Sequence, residues 1–447
     1  MDLLILNALA VVGSEVLPLD IAIQKGKICA LGHDLQAYQE GAQRVIDAQK
    51  RIVTPGGVDI HAHLSYFVGG RHTADTFASG TQAALFGGTT TVMDFVEAAE
   101  EESLTQALER RRREAQDLVC CDYSLHMSIL PHDLGKLAEI PELVKGGCPT
   151  FKHYTAYSFS LDDGQLYRSF QAIAKAQGMA VVHAENWPLI RELIRQHLEA
   201  QELAPRYHAL SRPAEAEAEA VERVLELAHL AQMKIYLFHQ GCSQALPLIE
   251  RARRRGQTVY AETCPHYLAL DDSYLESMGP LVVCSPPLRP ASHHRPLIKA
   301  LEEGTLDSVS SDHCPFSRRE KEEAPNFAQT PGGLASIETR MTLIKDLPHM
   351  SLPRWVEVCA TRPAQLVGLP HKGQLLPGFD ADLVVWSHEP YTISAATLHE
   401  KVDWTPYEGR QVSSRPQIVI SRGEVVISEN QYFGQLGRGR YLNRRLK

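Results

Sequence analysis

The sequence has no uncharged apolar run near the ~18 residues that a membrane helix needs, no internal repeat and no low-complexity tract. Cysteine is sparse: nine in 447 residues, an odd number scattered without framework spacing. That excludes a disulfide scaffold and fits reduced thiols in a cytoplasm. No large charge excess exists either, because 45 basic side chains face 54 acidic ones for a net charge of −9. Such a balance argues against nucleic acid or an anionic membrane surface as the main partner. The apolar stretch 1–12 carries Asp2 and lacks a basic leader, so it reads as a strand rather than a secretory signal. Arginine-rich clusters at 109–114 and 251–255 read as solvated helix faces. What is present is ordinary: 44% hydrophobic and 22% charged residues, in a chain long enough for one large domain and a smaller one.

The punctuation divides the chain. Residues 1–53 hold short strand-like runs broken by Gly13, Gly26 and Gly32, which is hairpin chemistry. From Thr54 onward, apolar runs alternate with charged helical stretches such as 104–119 and 214–231. Eight such runs occur, at 58–64, 89–95, 122–129, 150–157, 179–185, 234–240, 258–263 and 308–312. Eight βα units predict an α/β fold, a (β/α)8 TIM barrel over 54–369. Strand-like runs return after Lys372, so 1–53 and 370–447 are expected to pair into a small β-sandwich.

Barrel active sites lie at the C-terminal ends of the strands. His61 and His63 close the first run, one residue apart, so strand alternation points both imidazoles the same way. Lys152 lies in the fourth run, His183 ends the fifth, His239 the sixth and Asp312 the eighth. Each interrupts or closes an apolar stretch, and ionisable groups left unpaired there would cost several kcal/mol. Metal coordination satisfies them together. Four histidines and an aspartate can hold two divalent ions, and Lys152 is placed to bridge them. A lysine desolvated beside cations tends to lose its proton, and the neutral amine can add carbon dioxide to give a bidentate carbamate (N6-carboxylysine).

The motifs Gly56-Gly57-Val58-Asp59-Ile60-His61-Ala62-His63, Phe151-Lys152-His153-Tyr154-Thr155-Ala156-Tyr157, His183-Ala184-Glu185-Asn186, Glu262-Thr263-Cys264-Pro265-His266-Tyr267, Cys284-Ser285-Pro286-Pro287-Leu288-Arg289 and Ser311-Asp312-His313-Cys314 carry a family likeness. Over essentially its whole length the chain resembles the cyclic amidohydrolases, most closely the hydantoinase/dihydropyrimidinase branch. Segments 205–213 and 437–441 look like phenylhydantoinase-type members. The resemblance implies one zinc on His61, His63 and Asp312 and a second on His183 and His239, with carboxylated Lys152 bridging both. Manganese or cobalt are possible substitutes. It also implies a hydroxide nucleophile between the ions, with Asp312 moving its proton to the leaving nitrogen. Tyr157 would donate to the developing oxyanion, and backbone groups of Ser285 and Gly332 would read the planar ureide edge. A homotetramer, or else a homodimer, with contacts through the C-terminal tail, follows from the likeness alone.

The substrate is then a small cyclic amide. Position 65, where dihydroorotases carry a carboxylate-gripping arginine, is Ser65, and the Asn-Glu-Pro of allantoinases is missing after His63. Allantoinase remains the alternative, because 77–81 and 332–335 have that flavour. Leu64, Tyr66, Phe67, Phe95, Tyr154 and Phe159 are expected to wall the 5-substituent, which suits an aryl or alkyl group. Arg71 and His72 read as a solvated loop. Non-catalytic relatives have lost metal ligands, whereas all six positions stand here. A cysteine nucleophile at Cys264 or Cys314 lacks an evident base.

Overall fold

The computed structural model describes residues 1–68 and 70–446. Eight parallel strands form the predicted barrel in chain order: Gly57–Asp59, Thr89–Val96, Asp122–Ser128, Thr150–Tyr154, Met179–His183, Ile235–Leu237, Val259–Thr263 and Ser308–Val309. Closure runs through a parallel bridge between Ala62 and His313, where the His63 amide donates to the His313 carbonyl at 2.8 Å. Helices cover the outside. Leu104–Gln116 starts on a capping box from Ser103, whose hydroxyl accepts the Gln106 amide, and Ala214–Leu230 carries acids in its first turn.

Alternation sorts the strand side chains into two layers. In the fifth strand, Met179 and Val181 face the inner core, while Ala180 and Val182 pack under the helices. The sixth strand does the same with Tyr236 inside and Ile235 and Leu237 outside. Several expected runs are shorter than the patterning suggested. The sixth ends at Leu237 and the eighth at Val309, because His239 (φ 40°) and Asp312 (φ 47°) turn the backbone out of extended geometry.

Both ends of the chain share a second, nine-stranded sheet. Its seam is Ile52–Pro55, which pairs antiparallel with Leu383–Trp386 and parallel with Leu3–Val12. Leu3, Ile5, Ile21, Val53, Leu383 and Ile420 give it a separate apolar core. The α/β class, with a barrel and a β-sandwich made from both termini, is therefore the architecture of this protein.

The C-terminal tail is bound to the barrel of its own chain. The Tyr123 amide donates to Arg440, the Leu442 amide donates to Tyr123, and Arg444 is fully buried with its Nε donating to Ser124 Oγ at 2.8 Å. A charge cluster fastens the same end of the barrel. Buried Lys372 lies 2.6 Å from Asp122, 2.6 Å from Asp382 and 3.0 Å from Asp380, and Arg422 reaches Asp122 at 2.6 Å. Removing the ammonium leaves buried Asp382 without a cation, while Asp122 keeps Arg422 and Asp380 keeps Lys27. Lys372→Met is expected to lower stability by about 3–5 kcal/mol, read as an earlier denaturant midpoint. An unchanged midpoint would show that the cluster does not join sheet to barrel.

Candidate metal centre

The site grows out of the inner layer of the barrel. In the fourth strand Phe151 packs outside, Lys152 points in, His153 points out to Ser169 at 2.8 Å, and Tyr154 points in again. Of two adjacent basic residues, alternation therefore brings only Lys152 to the centre. Its Nζ sits 4.2 Å from the Phe238 ring centre, 4.9 Å from Tyr154 and 5.4 Å from Phe95. Among the described residues no carboxylate lies within ion-pair distance of it. Burial pulls its pKa down to about 7, leaving a large neutral fraction at physiological pH.

His61 stacks on Phe238 at 4.0 Å, so it shares that ring with Lys152. The Nε2 atoms of His61 and His63 approach Asp312 Oδ1 at 3.1 and 3.3 Å, and the three side chains bring ligand atoms within 4.8 Å of one another. Next to them, His183 Nδ1 faces His239 Nε2 at 2.9 Å, and the His239 ring lies 5.3 Å from that of His61. His239 follows inward-facing Phe238 yet also faces inward, which its left-handed backbone permits. Burial, reinforced by neighbouring Lys152 and other imidazoles, holds His61 and His239 well below the usual histidine range. His183 is lowered by burial too. Neutral imidazole is the ligating form.

The chemistry of this donor set fits divalent metal. His61 and His63 aim Nε2 at Asp312, and His183 Nδ1 faces His239 Nε2, so four imidazole nitrogens and a carboxylate gather in one largely buried place. The outward nitrogens of His61 and His183 are held as ligands require, whereas among the described residues Nδ1 of His63 and of His239 has no partner. His61 Nδ1 meets Glu262 at 2.8 Å, and His183 Nε2 meets Glu185 at 2.8 Å, which Arg212 grips at 2.6 Å. Burial pushes Glu262 up to about 8. Burial works against ionising Glu185 as well, but Arg212 and His183 hold it down at about 2. Sequence reasoning missed both acids as supports, although Glu262 lies near the end of the seventh strand and Glu185 two residues past His183. Arg212 carried no such signal.

The remaining candidates divide. Tyr157 (φ 72°) has its ring 5.2 Å from His183 and Ser285 near its hydroxyl, and burial raises its hydroxyl pKa above the ordinary range, so it stays a proton donor. Gly332 lies against Ser285, because a Cβ there would sit 3.8 Å from Ser285 Oγ. Lys321 Nζ and the Gly333 amide both donate to the Val283 carbonyl at 2.9 Å, tying these two loops together. Leu64 is corrected: it lies on the outer face, its side chain against Gly80 beside Phe77, so it does not line the site. Phe67 is 58% exposed on a short hairpin, its ring tilted against His72 at 4.9 Å rather than gathered with the other rings. Arg71 donates to the Glu320 carbonyl at 3.1 Å. Burial raises the thiol pKa of Cys264 and Cys314, which removes them as nucleophiles. His266, unforeseen, lies beside Cys264 and Asp312, and neither ring nitrogen has a partner among the described residues.

The chain matches the Amidohydrolase family over residues 52–426. It is 39% identical to the D-hydantoinase of Geobacillus stearothermophilus over 458 residues, spanning 99% of this chain and 97% of that one. Identity to the D-hydantoinase of Streptomyces coelicolor is 38% over 452 residues, spanning 98% and 97%. The crystal structure of dihydropyrimidinase from Brevibacillus agri superposes with a TM-score of 0.96 at 37% identity, covering 100% of this chain and 99% of that one.

If Glu262 orients His61 as a ligand, Glu262→Gln should weaken divalent-metal binding by about 10- to 100-fold. Competition with a chelator of known affinity measures this, and unchanged affinity would leave Glu262 a purely structural acid.

Proposed function

The chain belongs to the amidohydrolase family, and we propose that it hydrolyses the cyclic amide bond of hydantoins and dihydropyrimidines to N-carbamoyl amino acids. The observation that carries this reading is the convergence of His61, His63 and Asp312 within 4.8 Å, beside the His183–His239 pair and a sealed Lys152. His61, His63 and Asp312 would hold one divalent ion and His183 and His239 the other, with Lys152 as its carbamate between them. Such ions supply Lewis-acid polarisation of the ring carbonyl and water of lowered pKa. Zinc, with manganese or cobalt as substitutes, a homotetramer and a cytoplasmic location rest on the family likeness and the nine free cysteines, not on this geometry.

The chain's own groups then have defined tasks. Asp312 takes the proton of the attacking water and returns it to the ring nitrogen as the C–N bond breaks, so the ring opens with one water consumed. Tyr157, kept protonated, donates to the carbonyl oxygen as negative charge develops there. Backbone groups at Ser285 and Gly332 meet the planar ureide edge. His239, Asp312 and Tyr157 all hold left-handed backbone without being glycine. That conformation costs of order 1–3 kcal/mol each, and the surrounding packing sustains it.

The relatives are hydantoinases and a dihydropyrimidinase, which does not favour the allantoinase reading. Full retention of the ligand set, at His61, His63, Lys152, His183, His239 and Asp312, separates the chain from a non-catalytic assembly protein.

Purified, metal-analysed protein should bind two ions per chain and open hydantoin, 5-phenylhydantoin or dihydrouracil in preference to allantoin or dihydroorotate, followed by ring absorbance. A preference for allantoin would overturn the substrate assignment. Asp312→Asn should cut kcat by about 10²- to 10⁴-fold in protein that still folds, and near-normal turnover would remove Asp312 as the proton carrier.

A further inference from the structure

One acid at the rim lacks what its neighbours have. Asp94 is paired with Arg111 at 2.5 Å, Asp133 with Lys136 at 2.9 Å and Glu185 with Arg212 at 2.6 Å. Glu97 follows directly on the second barrel strand, Thr89–Val96, at the catalytic end of the barrel. It is only partly open to solvent, yet among the described residues no lysine, arginine or histidine pairs with its carboxylate. Oε1 accepts the Tyr66 hydroxyl, and Oε2 has no protein donor among the described residues.

The network behind Glu97 leads to the metal centre. The Tyr66 ring lies 5.0 Å from that of His63, and its hydroxyl is a neighbour of the Tyr154 hydroxyl. Tyr154 in turn lies 4.9 Å from Lys152 Nζ and 6.3 Å, ring to ring, from Tyr157. Two aromatic walls expected to hold an apolar substituent thus end in a carboxylate. A half-buried carboxylate without a counter-ion is costly, and a ligand ammonium would remove that cost while its alkyl stem covers the rings.

We propose that Glu97, with Tyr66 and Tyr154, forms a subsite for a cationic substituent on the substrate ring, so that aminoalkyl hydantoins, which open to N-carbamoyl basic amino acids, are preferred. This rests on the cyclic-amide reading above. Neutral alkyl groups of equal length fill the same space and leave Glu97 unpaired.

The test compares 5-(4-aminobutyl)hydantoin with 5-pentylhydantoin on the metal-loaded enzyme at pH 8, beside unsubstituted hydantoin. Both kcat/KM and calorimetric affinity are measured, for the wild type and for Glu97→Gln. The cationic compound should be favoured by at least about tenfold, the effect of one hydrogen bond to a charged group, and the ratio should fall toward one in Glu97→Gln. A wild-type ratio at or below one, or a ratio that Glu97→Gln leaves intact, overturns the subsite. Should that variant not fold, the wild-type ratio decides alone. Charge-dependent binding without ring opening would keep the subsite and sink the hydrolase reading. Ring opening of hydantoin without charge preference would sink the subsite only.

Discussion

A lysine enclosed by Phe95, Tyr154 and Phe238, with no carboxylate at ion-pair distance among the described residues, is the constraint on which the centre depends. Water cannot solvate its charge, and among the described residues no ion pair compensates it, so the ammonium form is penalised and the neutral amine favoured. A buried amine of that kind is reactive toward carbon dioxide, and the product carries the negative charge that two cations would need between them. The same burial keeps His61, His183 and His239 neutral. One physical condition, exclusion of water from the barrel's inner layer, thus prepares Lys152 and these three imidazoles together.

The barrel supplies that condition cheaply, because alternate residues of each strand share the interior. It does not by itself supply convergence. His239 and Asp312 lie beyond the last regular strand residues and reach the centre through left-handed backbone at 40° and 47°. Strain is concentrated where chemistry needs side chains that regular pleating would turn away, and Glu185, Glu262 and Arg212 hold the imidazoles against relaxation.

Much of this was legible in the chain. His61 and His63 share a face because one residue separates them, and Lys152 outranks His153 by the same rule. The eight runs and the pairing of the two ends were readable from periodicity and glycine punctuation. Other features are non-local. Leu64 adjoins His63 in sequence but faces the opposite layer, against Gly80. Phe67 follows closely too, yet sits on a hairpin open to solvent. Nothing in the local pattern of Glu97 announces that Tyr66, 31 positions earlier, donates to it. Nor does the local pattern of the C-terminal tail announce that Arg444 lies fully buried against Ser124 of the third strand.

The central claim is that Lys152 becomes a carbamate holding two ions together. Protein stripped of metal and rebuilt with zinc in ¹³C-bicarbonate should show a single protein-bound carbamate carbon by NMR. In Lys152→Ala that resonance should vanish together with most of the bound metal. Two ions per chain and full turnover with no carbamate signal would contradict the account.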